Sequence, residues 1–239
     1  MSILSSLQDP ILPIFMALLA GFFMRRVKFF DALGAQGINR FVFYVAMPAL
    51  LFDLLRKVAL DQIDWPTVNV YLFTEFVVYV GVALITFRVF KRSVGESILI
   101  GMAAGFVNHL MFVLPIARFL YGVQATEPIA AIVFVDVIVF CFTVFLMDFI
   151  RALESKQIGS FSVLSVAGML SKNPMVIASV LGVVAGAFPS YLPSGVYTYS
   201  NFLAASAAPA ALFALGVILG GQPIRPVGGP AWLAIGSKL

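Results

Sequence analysis

The chain has 239 residues, of which 62% are hydrophobic and 11% charged, with 24 Phe, one His and one Cys. So large an apolar share and so small a charged one exclude a water-soluble globular domain and imply burial in lipid. The formal net charge of +4 comes from short basic clusters between apolar runs, a topology signal; no basic face interleaved with aromatics exists for nucleic acid.

A helix crossing the hydrocarbon layer needs about 20 apolar residues, and the sequence predicts seven such spans. The first, residues 10–24, follows Asp9 rather than a basic leader and precedes Arg25, Arg26 and Lys28 rather than a small-residue cleavage site. It reads as a retained helix, not a signal peptide. The next six are expected over residues 38–55, 66–90, 95–121, 127–150, 173–188 and 194–220. All are continuously apolar rather than alternating, which excludes β-barrel strands. Residues 151–172, with Gly159 and several Ser, form a less apolar connector. Cys141 lies inside span five, and a lone thiol provides no internal disulfide or cysteine-rich metal site.

Basic residues on alternate sides set the orientation. One side holds Arg25, Arg26, Lys28, Arg40, Arg88, Lys91, Arg92, Arg151, Lys156, Lys172 and Arg225; the other holds Arg56, Lys57 and Arg118. The richer side is expected in the cytoplasm, with the chain after Ile150 there too and the N-terminus on the non-cytoplasmic side of a multi-pass protein of the inner (plasma) membrane.

Residues 46–54 (AMPALLFDL) and 207–215 (AAPAALFAL) share the pattern A-x-P-A-x-L-F-x-L, with Pro48 and Pro209 separated by 161 positions. The same offset carries Pro13 onto Pro174, Gly21 onto Gly182 and Phe41 onto Phe202. Spans one and two thus recur as spans six and seven, and the intervening odd number of spans predicts copies of opposite orientation. Inverted repeats characterise secondary transporters, which bind substrate where the repeats meet. The expected division is residues 1–160 as a first five-helix repeat and 161–239 as an incomplete second one, holding spans six and seven and the start of span eight. The offset implies ten spans, so the chain reads as C-terminally truncated.

Span four carries Asn108, His109 and Pro115. Proline removes a helical hydrogen bond and crowds the carbonyl four residues earlier, so the helix is expected to kink or open just before Pro115. Backbone freed at membrane depth persists only in protein or beside a wet cavity. Asn108 and His109 would lie beside it, as substrate ligands or as structural donors to a neighbouring helix. Intramembrane acids are functional candidates by default. Asp136 and Glu75 are the deepest, either as proton- or ion-coupling groups or as structural partners of His109. With no H-E-x-x-H, G-x-S-x-G or P-loop pattern, no catalytic residue, metal site or cofactor is expected, and transport would run on an ion or substrate gradient.

Taken together, several segments resemble the auxin efflux carrier family. They are residues 11–14 with Gly21, residues 39–52, Asn108 before Leu114-Pro115 and Tyr121-Gly122, Lys172-Asn173-Pro174, and residues 208–216. The resemblance implies an all-α membrane protein of two inverted five-helix repeats, with the fold of bile-acid symporters and sodium–proton antiporters. It implies a scaffold of helices one, two, six and seven, and a moving domain in which helices four and nine cross at broken segments. It places Asn108 and the Pro115 break at the substrate and Glu75 in a supporting position. Bacterial members carry organic anions such as malonate or malate, and plant members export auxin. His109 departs from the small residue usual after the Asn. The expected partners are a small carboxylate, a proton or sodium ion, the bilayer and a second copy in a homodimer. The alternatives are a truncated, inactive remnant and a seven-helix receptor or sensor.

Overall fold

The computed structural model describes residues 3–58, 63–154, 167–168, 170–188, 190–223 and 228–237. Lys156, Gly159, Arg225 and the expected repeat boundary at 160/161 lie outside them. Among the described residues all regular structure is helical. The helices are α1 (Ile3–Arg26), α2 (Ala32–Phe41), α3 (Met47–Leu55), α4 (Trp65–Arg88), α5 (Val94–Gly105), α6 (Leu114–Tyr121), α7 (Thr126–Glu154), α8 (Pro174–Ala187), α9 (Ser194–Gly221) and α10 (Gly229–Gly236).

Four stretches are long and apolar enough to cross a membrane: Ala32–Leu55, Trp65–Arg88, Pro128–Met147 and Ser194–Gly221. The protein is an all-helical, multi-pass membrane protein. Four helix starts, those of α2, α4, α5 and α8, follow simple capping chemistry, because a side-chain oxygen accepts from one of the first, unpaired amides. Asp31 caps α2 through the Gly34 amide at 2.7 Å, and Asn173 caps α8 through the Met175 amide at 2.9 Å. Helix α1 closes through Lys28 at φ 62, with the Phe29 amide donating to the Met24 carbonyl at 2.9 Å. That is the hydrogen-bond pattern usually built with glycine at the left-handed position.

Two prolines sit just after widened turns. Residues Val42–Ala46 form a π turn joining α2 to α3, and Pro48 follows in the first turn of α3. Residues His109–Val113 form a second π turn, and Pro115 follows in the first turn of α6. A π turn shifts hydrogen bonding from i−4 to i−5, which accommodates a proline ring that an α-helical turn would crowd. Pro209 differs: it lies inside α9, which continues from Ser194 to Gly221 without interruption.

Each of two compact units draws on three stretches of chain. The first comprises Met1–Ile63, His109–Ala131 and Asn173–Ile224. Here α1 packs on α9, and α3 on α8. Both seams are backbone against backbone, which only residues without a side chain permit. A Cβ at Gly21 would overlap the Phe213 carbonyl oxygen, and one at Gly216 would overlap that of Leu18. On the other seam a Cβ at Gly182 would stand 2.9 Å from the Phe52 oxygen, and one at Gly186 would stand 2.6 Å from the Arg56 oxygen. Gly21 with Phe213 and Gly182 with Phe52 are corresponding pairs, since Gly21 and Phe52 each map onto the other pair by the 161-residue offset.

The same unit buries Asp53, at 4% exposure. Arg56 Nη2 and Lys57 Nζ, in the turn that follows α3, each donate to it at 2.6 Å, and Asn201 Nδ2 reaches it from α9 at 3.3 Å. The Arg56 guanidinium also lies over the Tyr197 ring, 4.5 Å from its centre. Breaking a fully buried ion pair destabilises by about 3–5 kcal/mol, but these cations are part-exposed, 21% for Arg56 and 38% for Lys57. Asp53→Asn is therefore expected to lower stability by about 2 kcal/mol. Thermal unfolding in detergent measures this, and an unchanged midpoint would mean that solvent alone satisfies both cations.

The second unit comprises Asp64–Asn108, Ile132–Lys172 and Arg225–Leu239. Helix α5 lies close on α4: a Cβ at Gly101 would stand 2.5 Å from the Tyr79 oxygen, and one at Gly105 would stand 3.1 Å from that of Glu75. Two polar links, one part-buried and one buried, tie α4 to α7. Tyr71 Oη donates to Asp136 Oδ1 at 2.9 Å, and the Tyr79 and Thr143 hydroxyls meet at 3.1 Å.

Candidate functional site

Span four is interrupted, although not where proline alone predicts. Helix α5 ends at Gly105, residues 106–108 are non-helical, and the π turn starts at His109. Phe106 adopts an extended conformation, φ −69° and ψ 127°, with its amide still donating to the Met102 carbonyl at 2.8 Å. The opening expected just before Pro115 thus lies farther upstream, because the π turn absorbs the proline. What ends α5 is the extended Phe106, directly after the glycine packed on α4.

The interruption leaves the last carbonyls of α5 without partners in the helix and presents the negative end of its dipole. A cavity of about 390 Å³ lies there within the second unit, lined by Tyr71, Thr74, Glu75, Gly105, Val107 and Ser237 among others. Glu75 is 4% exposed, one turn after Tyr71 on α4. Asp136, 5% exposed, holds the Tyr71 hydroxyl from α7. The second unit thus brings together Glu75, Tyr71 and Asp136. Two carboxylates, three hydroxyls and a helix C-terminus make a surrounding that favours a proton or small cation over an anion.

Asn108, the last non-helical residue, is exposed and belongs to the same unit. His109, 7% exposed, opens the π turn and belongs to the first unit, as does Pro115. In that unit Arg118 Nε donates to Thr126 Oγ1 at 2.9 Å. Pro48 and Pro209 sit in α3 and α9. Among the described residues, no three or more His, Cys, Asp and Glu cluster to hold a metal ion. Tyr71 was not singled out from the sequence; its i, i+4 spacing from Glu75 on one helical face is the signal that could have found it.

Residues 7–228 match the membrane transport protein family. The chain belongs to that family. It is the family to which the order of the sequence motifs points. A protein from Rhizobium meliloti (strain 1021), described as "Putative malonate transporter", is 26% identical over 238 residues, covering 96% of this chain and 72% of the relative. Family membership gives the interrupted span a transport context: polar backbone between Gly105 and His109 belongs to a membrane transport protein, where broken helices commonly form the binding site. No residue of the site is assigned by these matches.

Proposed function

We propose that this membrane transport protein is a secondary carrier of small organic anions, carboxylates in particular, working by alternating access across the inner membrane. The observation that carries the reading is the interruption of span four at residues 106–108, with Asn108 exposed beside it. Membrane-spanning backbone of this kind is stable only against protein or a wet cavity. The relative described as a malonate transporter supports a dicarboxylate as substrate.

In this mechanism Asn108, His109 and the turn before Pro115 bind the carboxylate, and Glu75 with Asp136 carries the coupling proton or sodium ion. The acids lie beside the carbonyl end of α5, where cations are favoured and anions are not. Substrate and coupling ion therefore occupy different chemical surroundings. The fold on this reading is a pair of inverted five-helix repeats, one over residues 1–160 and one starting at 161, within a ten-span plan. The N-terminus faces away from the cytoplasm. The matched seams, Gly21 on Phe213 and Gly182 on Phe52, are what a two-fold relation between the copies requires.

Membrane vesicles containing the protein are expected to take up radiolabelled malonate, and Asn108→Ala is expected to weaken that uptake. Losing one hydrogen bond to a charged substrate removes about 1.5–3 kcal/mol, or roughly 10- to 100-fold in apparent affinity. Undiminished uptake by a variant inserted at the normal level would remove Asn108 from the site.

A further inference from the structure

A second hollow of the second unit shares Glu75 with the cavity beside α5 and otherwise has a lining of its own. It has a volume of about 740 Å³ and runs along one face of α4 from Asn69 to Phe87, walled by the start of α5 and by α7. The eighteen helical steps from Asn69 to Phe87 rise about 27 Å, close to the roughly 30 Å depth of a bilayer's hydrocarbon layer. Its lining is dominated by side chains such as Phe73, Phe76, Leu84 and Phe142, and Phe73 and Phe76 are 69% and 58% exposed. A protein face of this shape at membrane depth suits an extended hydrocarbon chain.

One end of the groove is basic. Phe87 lines it and Arg88 follows; Val94 lines it and Lys91 and Arg92 come just before. The connection between α4 and α5 passes through Lys91 at φ 51, a left-handed conformation uncommon for any residue other than glycine. The Arg92 amide folds back to donate to the Thr86 carbonyl at 3.3 Å. All three cations are exposed, and each lies within three residues of a groove-lining position, Phe87 or Val94. Arg92 meets Glu96 at 3.5 Å. Among the described residues, neither Arg88 nor Lys91 forms an ion pair. The mouth therefore carries uncompensated positive charge at the point where a hydrocarbon chain would end in a headgroup.

We propose that this groove binds an anionic diacyl phospholipid, one acyl chain lying along α4 between α5 and α7 and the phosphate held by Arg88, Lys91 and Arg92. The basic-residue count puts this end on the cytoplasmic side, whose leaflet is the one in which anionic lipids attract juxtamembrane cations. The site does not depend on what the protein transports.

The purified protein, stripped of lipid in detergent, is expected to bind dioleoylphosphatidylglycerol at least 10-fold more tightly than dioleoylphosphatidylcholine by native mass spectrometry. The exposed-surface variant R88Q/K91Q/R92Q should lose the preference while retaining the unfolding temperature of the unmodified protein. Leu84→Trp, at a half-exposed groove position, should weaken both lipids. Equal binding of the two lipids, a preference that survives the triple variant, or displacement of the lipid by millimolar inorganic phosphate would overturn the proposal. So would disulfide-linked pairs from Phe76→Cys in a Cys141→Ser background, which would assign the groove to a second copy of the chain.

Discussion

Replacing Gly21 or Gly216 with alanine is expected to destabilise the first unit by about 3 kcal/mol each, the upper end of the overpacking range. Both positions lie where α1 and α9 touch through main chain, and a methyl group at either would occupy the space of a carbonyl oxygen, Phe213 or Leu18. A flexible side chain could swing aside. A peptide carbonyl inside a helix cannot, so the two helices must separate and lose the close contact that holds them together. Gly37 in α2 provides the control, because a Cβ there would meet nothing within 4 Å. Gly37→Ala should be neutral or stabilising by up to about 1 kcal/mol through helix propensity. Thermal unfolding in detergent distinguishes the cases; three equal shifts would refute the close-packed seam.

Asp136→Asn is expected to reduce gradient-driven uptake by at least about 10-fold while leaving the protein inserted, on the scale of a positioned proton-transfer group. The substitution keeps the shape and can still bond the Tyr71 hydroxyl, now 2.9 Å from Oδ1, but it removes the charge that would take and release a proton. Tyr71→Phe leaves the carboxylate in place without its donor and should give a smaller loss with a displaced pH optimum. Uptake into vesicles at fixed substrate, with and without an imposed pH gradient, is the measurement. If Asp136→Asn responds to the gradient as the unmodified protein does, coupling does not pass through Asp136.

The four membrane-length stretches were legible because each is a long apolar run, as in α4, which ends on Arg88. The interruption of span four was legible in kind but not in place. Proline is a visible breaker, whereas the fit of Gly101 and Gly105 against Tyr79 and Glu75 depends on a partner helix. Asp53 shows the same division. Its spacing to Arg56 and Lys57 announces local ion pairs, while Asn201 lies 148 positions away and joins it only through packing. Glu75 and Asp136 stood out as acids in apolar runs. Tyr71 did not, since an aromatic residue in a membrane helix is unremarkable until its hydroxyl finds a buried carboxylate.

The wide turn at Val42–Ala46 also indexes the helix that follows it. An extra residue in one turn rotates everything downstream by roughly 100° about the axis, the angle between successive α-helical residues. The azimuth of Asp53, and so its reach toward Asn201, is set about two turns earlier by a backbone irregularity rather than by its own neighbours. Shortening that turn by one residue would re-gear α3 without changing any side chain on it.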